Sequence, residues 1–355
     1  MIHEFDAQKE QVIPNVEGKI VFEKQFDLSI PEPVDVEKLC LDKGWVTLIE
    51  GENTGGIYSY QPPMSKLIYA AKAMVREIAE RHGFEEHTFP RHYNRSDLHA
   101  FGWIEHDHLS RELMVTTPLN TSEGRTNHEL LSDPVQCLGF YTTLREVQCR
   151  NGGNLPSKLF DQGFFGVYED QGGWTLRNEI KARLQKGWST AFEFSGAEIV
   201  FAGYENDVYA IRWRMLLAML SLMDELQLTY RVVTSGSCAR DESSPDLIGK
   251  EMRMYEIPTL DVELYIPQYA NTDKSPWIEI GGGDVAGTRL VDNFNLKTLN
   301  GNALFSGCQG FGWQRFCLGL LSQKGLDPSN WSTAITQYYG STVPQSMIGE
   351  LMLSL

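Results

Sequence analysis

The run Gly307-Cys308-Gln309-Gly310-Phe311-Gly312-Trp313-Gln314-Arg315 constrains this chain most, because it reads as a strand, a glycine turn and the start of a helix. Gly310 and Gly312 let the backbone pass close to a ligand without a Cβ in the way. Arg315 opens the apolar helix Phe316-Cys317-Leu318-Gly319-Leu320-Leu321, with a guanidinium fork suited to phosphate. The same pattern also suits a plain surface arginine, so a site reading depends on partners elsewhere in the chain.

Those partners come earlier. Trp174-Thr175-Leu176-Arg177-Asn178-Glu179 ends a strand, and strand alternation puts Arg177 and Glu179 on one face. A loop with Lys181, Arg183 and Lys186 follows, and an apolar stretch then returns from Ala191 to Phe201. Such a hairpin can hold a nucleotide, with Arg177 on the α-phosphate, Glu179 on the adenine amino group and the Phe194 ring under the base. No Walker motif or dinucleotide glycine fingerprint occurs in a strand-to-helix context, which excludes the common alternative nucleotide folds. Gly281-Gly282-Gly283 follows a strand with no lysine or helix signature after it, and reads as a close-packed turn beside the nucleotide.

The periodicities predict a helix over 63–82, strands at 86–90 and 112–116, a helix over 133–147, the hairpin of 174–201 and a helix over 205–228. Strands at 229–234, 259–266 and 277–281 follow, then a last strand before a helix from 312. Hairpin strands flanked by helices favour an α+β fold with an antiparallel sheet over a doubly wound parallel one.

With these motifs in order the chain resembles the class II aminoacyl-tRNA synthetases, and within them seryl-tRNA synthetase. Arg177-Asn178-Glu179 is similar to the second signature motif, Phe194 to Glu198 to its return strand, and the run ending at Arg315 to the third. Tyr230-Arg231-Val232-Val233, Leu260 to Pro267 and Trp277-Ile278-Glu279-Ile280 are similar to the segment joining those motifs. Pro90, in His87-Thr88-Phe89-Pro90-Arg91, resembles the first motif, which implies a homodimer. The resemblance implies ATP as a substrate, Arg177 and Arg315 as catalytic residues on the α- and γ-phosphates, and Mg²⁺ held partly by Glu279. It also implies a Zn²⁺ site of Cys137, Glu198 and Cys308, whose open fourth position takes the substrate amino group. Read without the resemblance, the two cysteines are equally well ordinary buried thiols. Two departures stand out: Gly282 lacks an expected metal-ligating hydroxyl, and Glu193 precedes Phe194 where relatives often place Gln or a basic residue.

The atypical seryl-tRNA synthetases of methanogens and the amino acid:[carrier protein] ligases share that zinc set. The first 50 residues contain Ile13-Pro14, Ile30-Pro31-Glu32-Pro33 and neither heptads nor a basic helical arm. The expectation is therefore a leader over 1–50, a single catalytic domain over 51–355, and a ligase of the carrier-protein type. That ligase activates a small amino acid as its adenylate and passes it to the phosphopantetheine thiol of an acyl carrier protein. A small-molecule or peptide acceptor and a non-catalytic paralogue that binds an amino acid or nucleotide are the alternatives. The expected absence of a tRNA-binding N-terminal domain makes tRNA an unlikely partner, and a net charge of −16 argues further against wide contact with nucleic acid. Any docking surface must be local, with Lys181, Arg183, Lys186 and the helix bearing Arg212 and Arg214 as candidates, although a solvated helix face serves the last two as well. Six cysteines form no disulfide framework and the charged start is no signal peptide, which points to the cytoplasm. The apolar run from Met215 to Met223 is too short to span a bilayer, so no membrane partner is expected.

Overall fold

The computed structural model describes residues 2–28, 33–50, 57–89, 92–93, 99, 114–115, 135–136, 142–151, 164–174, 187–190, 193–235, 247–296 and 303–340. Its centre is an eight-stranded sheet of β1 (Ile20–Lys24), β2 (Glu85–His87), β3 (Phe164–Trp174), β4 (Glu193–Gly203), β5 (Tyr230–Thr234), β6 (Thr259–Tyr265), β7 (Trp277–Gly287) and β8 (Phe305–Gly312). The spatial order is β1-β5-β6-β7-β8-β4-β3-β2, antiparallel throughout except for the short β2, which lies parallel to β3. The helices are α1 (Ile2–Asp6), α2 (Val36–Asp42), α3 (Pro62–Arg81), α4 (Thr142–Asn151), α5 (Glu205–Glu225), α6 (Trp313–Lys324) and α7 (Thr333–Tyr339). The α+β class and the antiparallel sheet flanked by helices are as expected.

Alternation decides which face does what. Along β6, Leu260, Val262 and Leu264 are buried while Asp261, Glu263 and Tyr265 are half-buried. The apolar set joins Tyr230, Val232, Ile199, Phe201 and Phe311 in a core shared with α5 and α6. The opposite face carries the polar side chains, together with Val167 and Val200.

Residues 2–50 join that core. Phe5 stacks on Trp213 of α5 with ring centroids 4.9 Å apart, β1 pairs with β5, and Val36 and Cys40 of α2 are fully buried.

Several expectations are corrected. The hairpin expected over 174–201 has its outgoing strand at Phe164–Trp174, starting ten residues earlier than expected. The helix expected over 133–147 is observed at Thr142–Asn151, with a two-residue strand at Val135–Gln136 before it. β7 continues through the three glycines to Gly287 and makes no turn there. Its register shifts opposite Val262 and Glu263, at Gly281, where any Cβ would collide with the carbonyl oxygen of Gly310. Arg212 is neither a docking residue nor a solvated one: it is fully buried and donates from Nη2 to the carbonyls of Tyr255 (2.6 Å) and Ile257 (2.9 Å). Desolvation pushes its pKa down to about 10. Arg214, two residues on, is exposed. Among the described residues no helix is long and apolar enough to cross a membrane.

Candidate active site

The polar face of the sheet is built by register. Glu198 on β4 lies opposite Gly310 on β8 and Glu169 on β3. Cys308, two residues before Gly310, lies opposite Val200 on one side and Asp284 of β7 on the other. Strand alternation therefore turns Glu169, Glu198, Cys308 and Asp284 to the same face. All four are buried. Gly310 presents no side chain there, and a Cβ would sit 3.3 Å from Glu198 Oε2, so the carboxylate lies over the glycine. Glu169 Oε1 accepts from the backbone N–H (3.2 Å) and Oγ1 (2.7 Å) of Thr143 on α4, and Asp284 Oδ1 accepts from Thr259 Oγ1 at 2.7 Å.

Further along the same face, Glu279 lies opposite Glu263, and Arg231 of β5 donates from Nε to Glu263 Oε2 at 2.5 Å. The Arg231 guanidinium also stands 4.6 Å above the Trp277 ring. Arg315, in the first turn of α6, is 8% exposed and reaches Glu279 through Nη1, 3.3 Å from its carbonyl oxygen and 3.5 Å from Oε2. A charged contact this long is weaker than a close bidentate pair, so a phosphate can compete with Glu279 for the guanidinium.

Two side chains that sequence reasoning passed over aim Arg315. Trp313 Nε1 donates to Asp170 Oδ1 of β3 (3.3 Å), and Gln314 Oε1 accepts from the backbone N–H (3.1 Å) and Oγ (3.4 Å) of Ser195 on β4. Asp170 in turn holds Lys72 of α3 at 2.8 Å. The start of α6 is thus tied to both hairpin strands. Their signal was present as two large polar-capable residues between a glycine turn and the arginine, but it named no partner.

Of the expected site residues, Glu198, Cys308, Glu279 and Arg315 come together on or beside this face. The backbone of Phe194 pairs with Gly173 inside the hairpin. Cys137, Arg177 and Glu179 lie outside the described residues, as does Pro90. For Zn²⁺, the two described candidates are of the right chemistry and share a face on adjacent strands; among the described residues no set of three His, Cys, Asp or Glu is arranged to hold a metal ion.

No family model matches the chain, and its antiparallel sheet, hairpin and arginine-opened helix are similar to those of class II aminoacyl-tRNA synthetases. More particularly it is seryl-tRNA synthetase-like. It is 28% identical over 351 residues to the type-2 serine--tRNA ligase of Methanopyrus kandleri, covering 92% of this chain and 64% of that relative. Its fold matches the M. kandleri seryl-tRNA synthetase solved with A. aeolicus tRNASec (TM-score 0.66, 21% identity, 92% of this chain and 64% of that one). It also matches the cytoplasmic serine-tRNA ligase of Naegleria fowleri solved with AMP (TM-score 0.69, 11% identity, 91% and 64%). The chain thus spans a little under two thirds of the length of these proteins.

These relatives correct two expectations. Their names specify tRNA as the acyl acceptor, and one is solved with a tRNA, against transfer to a carrier protein and against tRNA as an unlikely partner. The net charge of −16 was a poor guide because it sums the whole chain, whereas a tRNA meets only a local surface.

Proposed function

We propose that the chain is an ATP-dependent amino-acid ligase of the seryl-tRNA ligase type, which activates serine as its adenylate for transfer to tRNA. The observation that carries this reading is the placement of Arg315 against Glu279, beside Glu198 and Cys308 on one polar sheet face, in a chain similar along nine tenths of its length to serine--tRNA ligases.

In this reading a serine carboxylate oxygen attacks the α-phosphorus of ATP, and the bond to the pyrophosphate oxygen breaks. No covalent enzyme intermediate is needed, so the protein contributes positioning and charge neutralisation. Arg177 grips the α-phosphate, Glu179 and Phe194 hold the adenine, and Arg315 exchanges its long contact with Glu279 for the γ-phosphate. Glu279, released, is placed to hold Mg²⁺, which when bound neutralises phosphate charge. Cys308 and Glu198, with Cys137, would hold Zn²⁺, which when bound supplies a position for the amino group. Glu169 and Asp284 are fixed by Thr143 and Thr259, so their carboxylates stay oriented beside those two ligands.

The test is exchange of pyrophosphate into ATP with each of the twenty amino acids, followed by charging of tRNA. Serine-dependent exchange and a seryl-tRNA product are expected. Absence of exchange with every amino acid on zinc-loaded protein overturns the reading.

A further inference from the structure

Glu37 is a buried carboxylate that the chemistry above does not use. It sits in α2, far in sequence from the motifs, yet it takes hydrogen bonds from Ser189 of the hairpin connection and Tyr269 beyond β6. Ser189 donates to Glu37 Oε1 from its backbone N–H (3.2 Å) and from Oγ (2.8 Å), and Tyr269 donates its hydroxyl to Oε2 at 2.9 Å. A Cβ at Gly187 would collide with all three atoms of the carboxylate group. Only glycine lets the Gly187 backbone lie against that acid. The intervening Trp188 is fully buried, donates nothing to Glu37, and is held by Tyr60, whose hydroxyl reaches the Trp188 carbonyl at 3.2 Å and whose ring meets the indole edge-on.

Residues 187–190 are the last described stretch before β4, the strand that carries Phe194 and Glu198. We propose that Glu37 is a positioning residue for nucleotide binding: its carboxylate pins the backbone from Gly187 to Ser189 and thereby fixes where the return strand begins. This rests on the ATP-dependent reading given above. Burying an acid is unfavourable and raises its pKa, the hydrogen bonds from Ser189 and Tyr269 and the charge of Lys274 only partly offsetting the desolvation. A neutral residue would pack there with less strain on the fold, so the acid's value lies in its three donors and the short segment they hold. The carboxylate comes from residues 2–50, and its other anchor, Tyr269, lies just beyond β6. The hairpin connection is therefore held by parts of the chain outside the hairpin itself.

The test compares Glu37→Ala with Glu37→Gln, since glutamine keeps an acceptor oxygen for both Ser189 donors. In pyrophosphate exchange, Glu37→Ala is expected to raise KM for ATP about tenfold with kcat changed less than about twofold, and Glu37→Gln to bring KM back to within about threefold of the unmodified protein. A fall in kcat that follows the folded fraction, with KM unchanged, overturns the proposal, as does a Gln variant no better than Ala. If Glu37→Ala does not fold, Ser189→Ala removes one donor and decides the matter by the same KM shift. Trypsin cleavage after Lys186 supplies a readout that needs no activity: it should quicken in Glu37→Ala relative to Glu37→Gln at equal distance below each Tm. Equal cleavage rates overturn the anchoring, whereas absence of exchange in the unmodified protein overturns the ligase reading instead.

Discussion

Arg315 is aimed by the two residues that precede it in α6. Trp313 and Gln314 spend their polar atoms on Asp170 and Ser195, which sets the azimuth of the first helical turn, and the guanidinium then has Glu279 at 3.5 Å as a placeholder. Removing it with Arg315→Ala is expected to lower pyrophosphate exchange by about 10²-fold or more, and Arg315→Lys to recover only part, because a point charge does not reproduce the fork. A loss smaller than about fivefold would place the γ-phosphate elsewhere. Cys308→Ser tests the other end of the face. Zinc content measured on the purified protein should fall from one equivalent to well below about half, with serine-dependent exchange falling in parallel. Gly282 shows how the sequence departs from a hydroxyl at this point: a Cβ there would strike Asp261 Oδ1, so the space that a side chain needs is already taken by a carboxylate from the neighbouring strand. Gly282→Ala should therefore cost about 1–3 kcal/mol in urea unfolding while leaving the sheet intact by circular dichroism.

At the level of elements, α6 matters because it both starts at the site and closes the core. Its helix packs over β6 at Gly319, where an added Cβ would strike the Leu264 side chain, including its Cβ at 2.8 Å. Gly319→Val is expected to destabilise the fold by about 1–3 kcal/mol and to lower activity only through the loss of folded protein. The elements with one apolar and one polar face were legible in the sequence: 62–81, 205–225, 259–265 and 313–324 lie within a few residues of where periodicity puts them. The strand Phe164–Trp174 was not. Its second half, Glu169-Asp170-Gln171-Gly172-Gly173, shows no apolar alternation: Glu169 serves the polar face and Asp170 the α6 tie. Arg212 misled for the opposite reason: a charge on a helix reads as solvent-facing, and nothing local announces that two carbonyls of the 255–257 turn will cover it.

For the whole molecule, Glu37 links α2 to Ser189 ahead of β4 and to Tyr269 beyond β6. A carboxyl whose folded-state pKa lies above its unfolded value binds more protons folded than unfolded. Its contribution therefore makes stability fall as pH rises from the model-peptide value of 4.5 up to the folded-state value, and stay level beyond it. Urea unfolding followed upward from pH 4.5 should show that decline, and Glu37→Gln should make the profile flatter. An unchanged profile in the variant would mean that other groups dominate the pH dependence.

The amino-acid sequence by itself determined the polar motifs and their order, the α+β class and the helices with a single apolar stripe, because each of these depends on residue type and spacing along one element. Only the tertiary structure decided that Glu198, Cys308 and Asp284 share a face, that Asp261 fills the room at Gly282, and that Glu37 reaches Ser189. Those pairings join residues 21 to 152 positions apart, and their register depends on every strand between them at once, a global packing condition that local spacing does not encode.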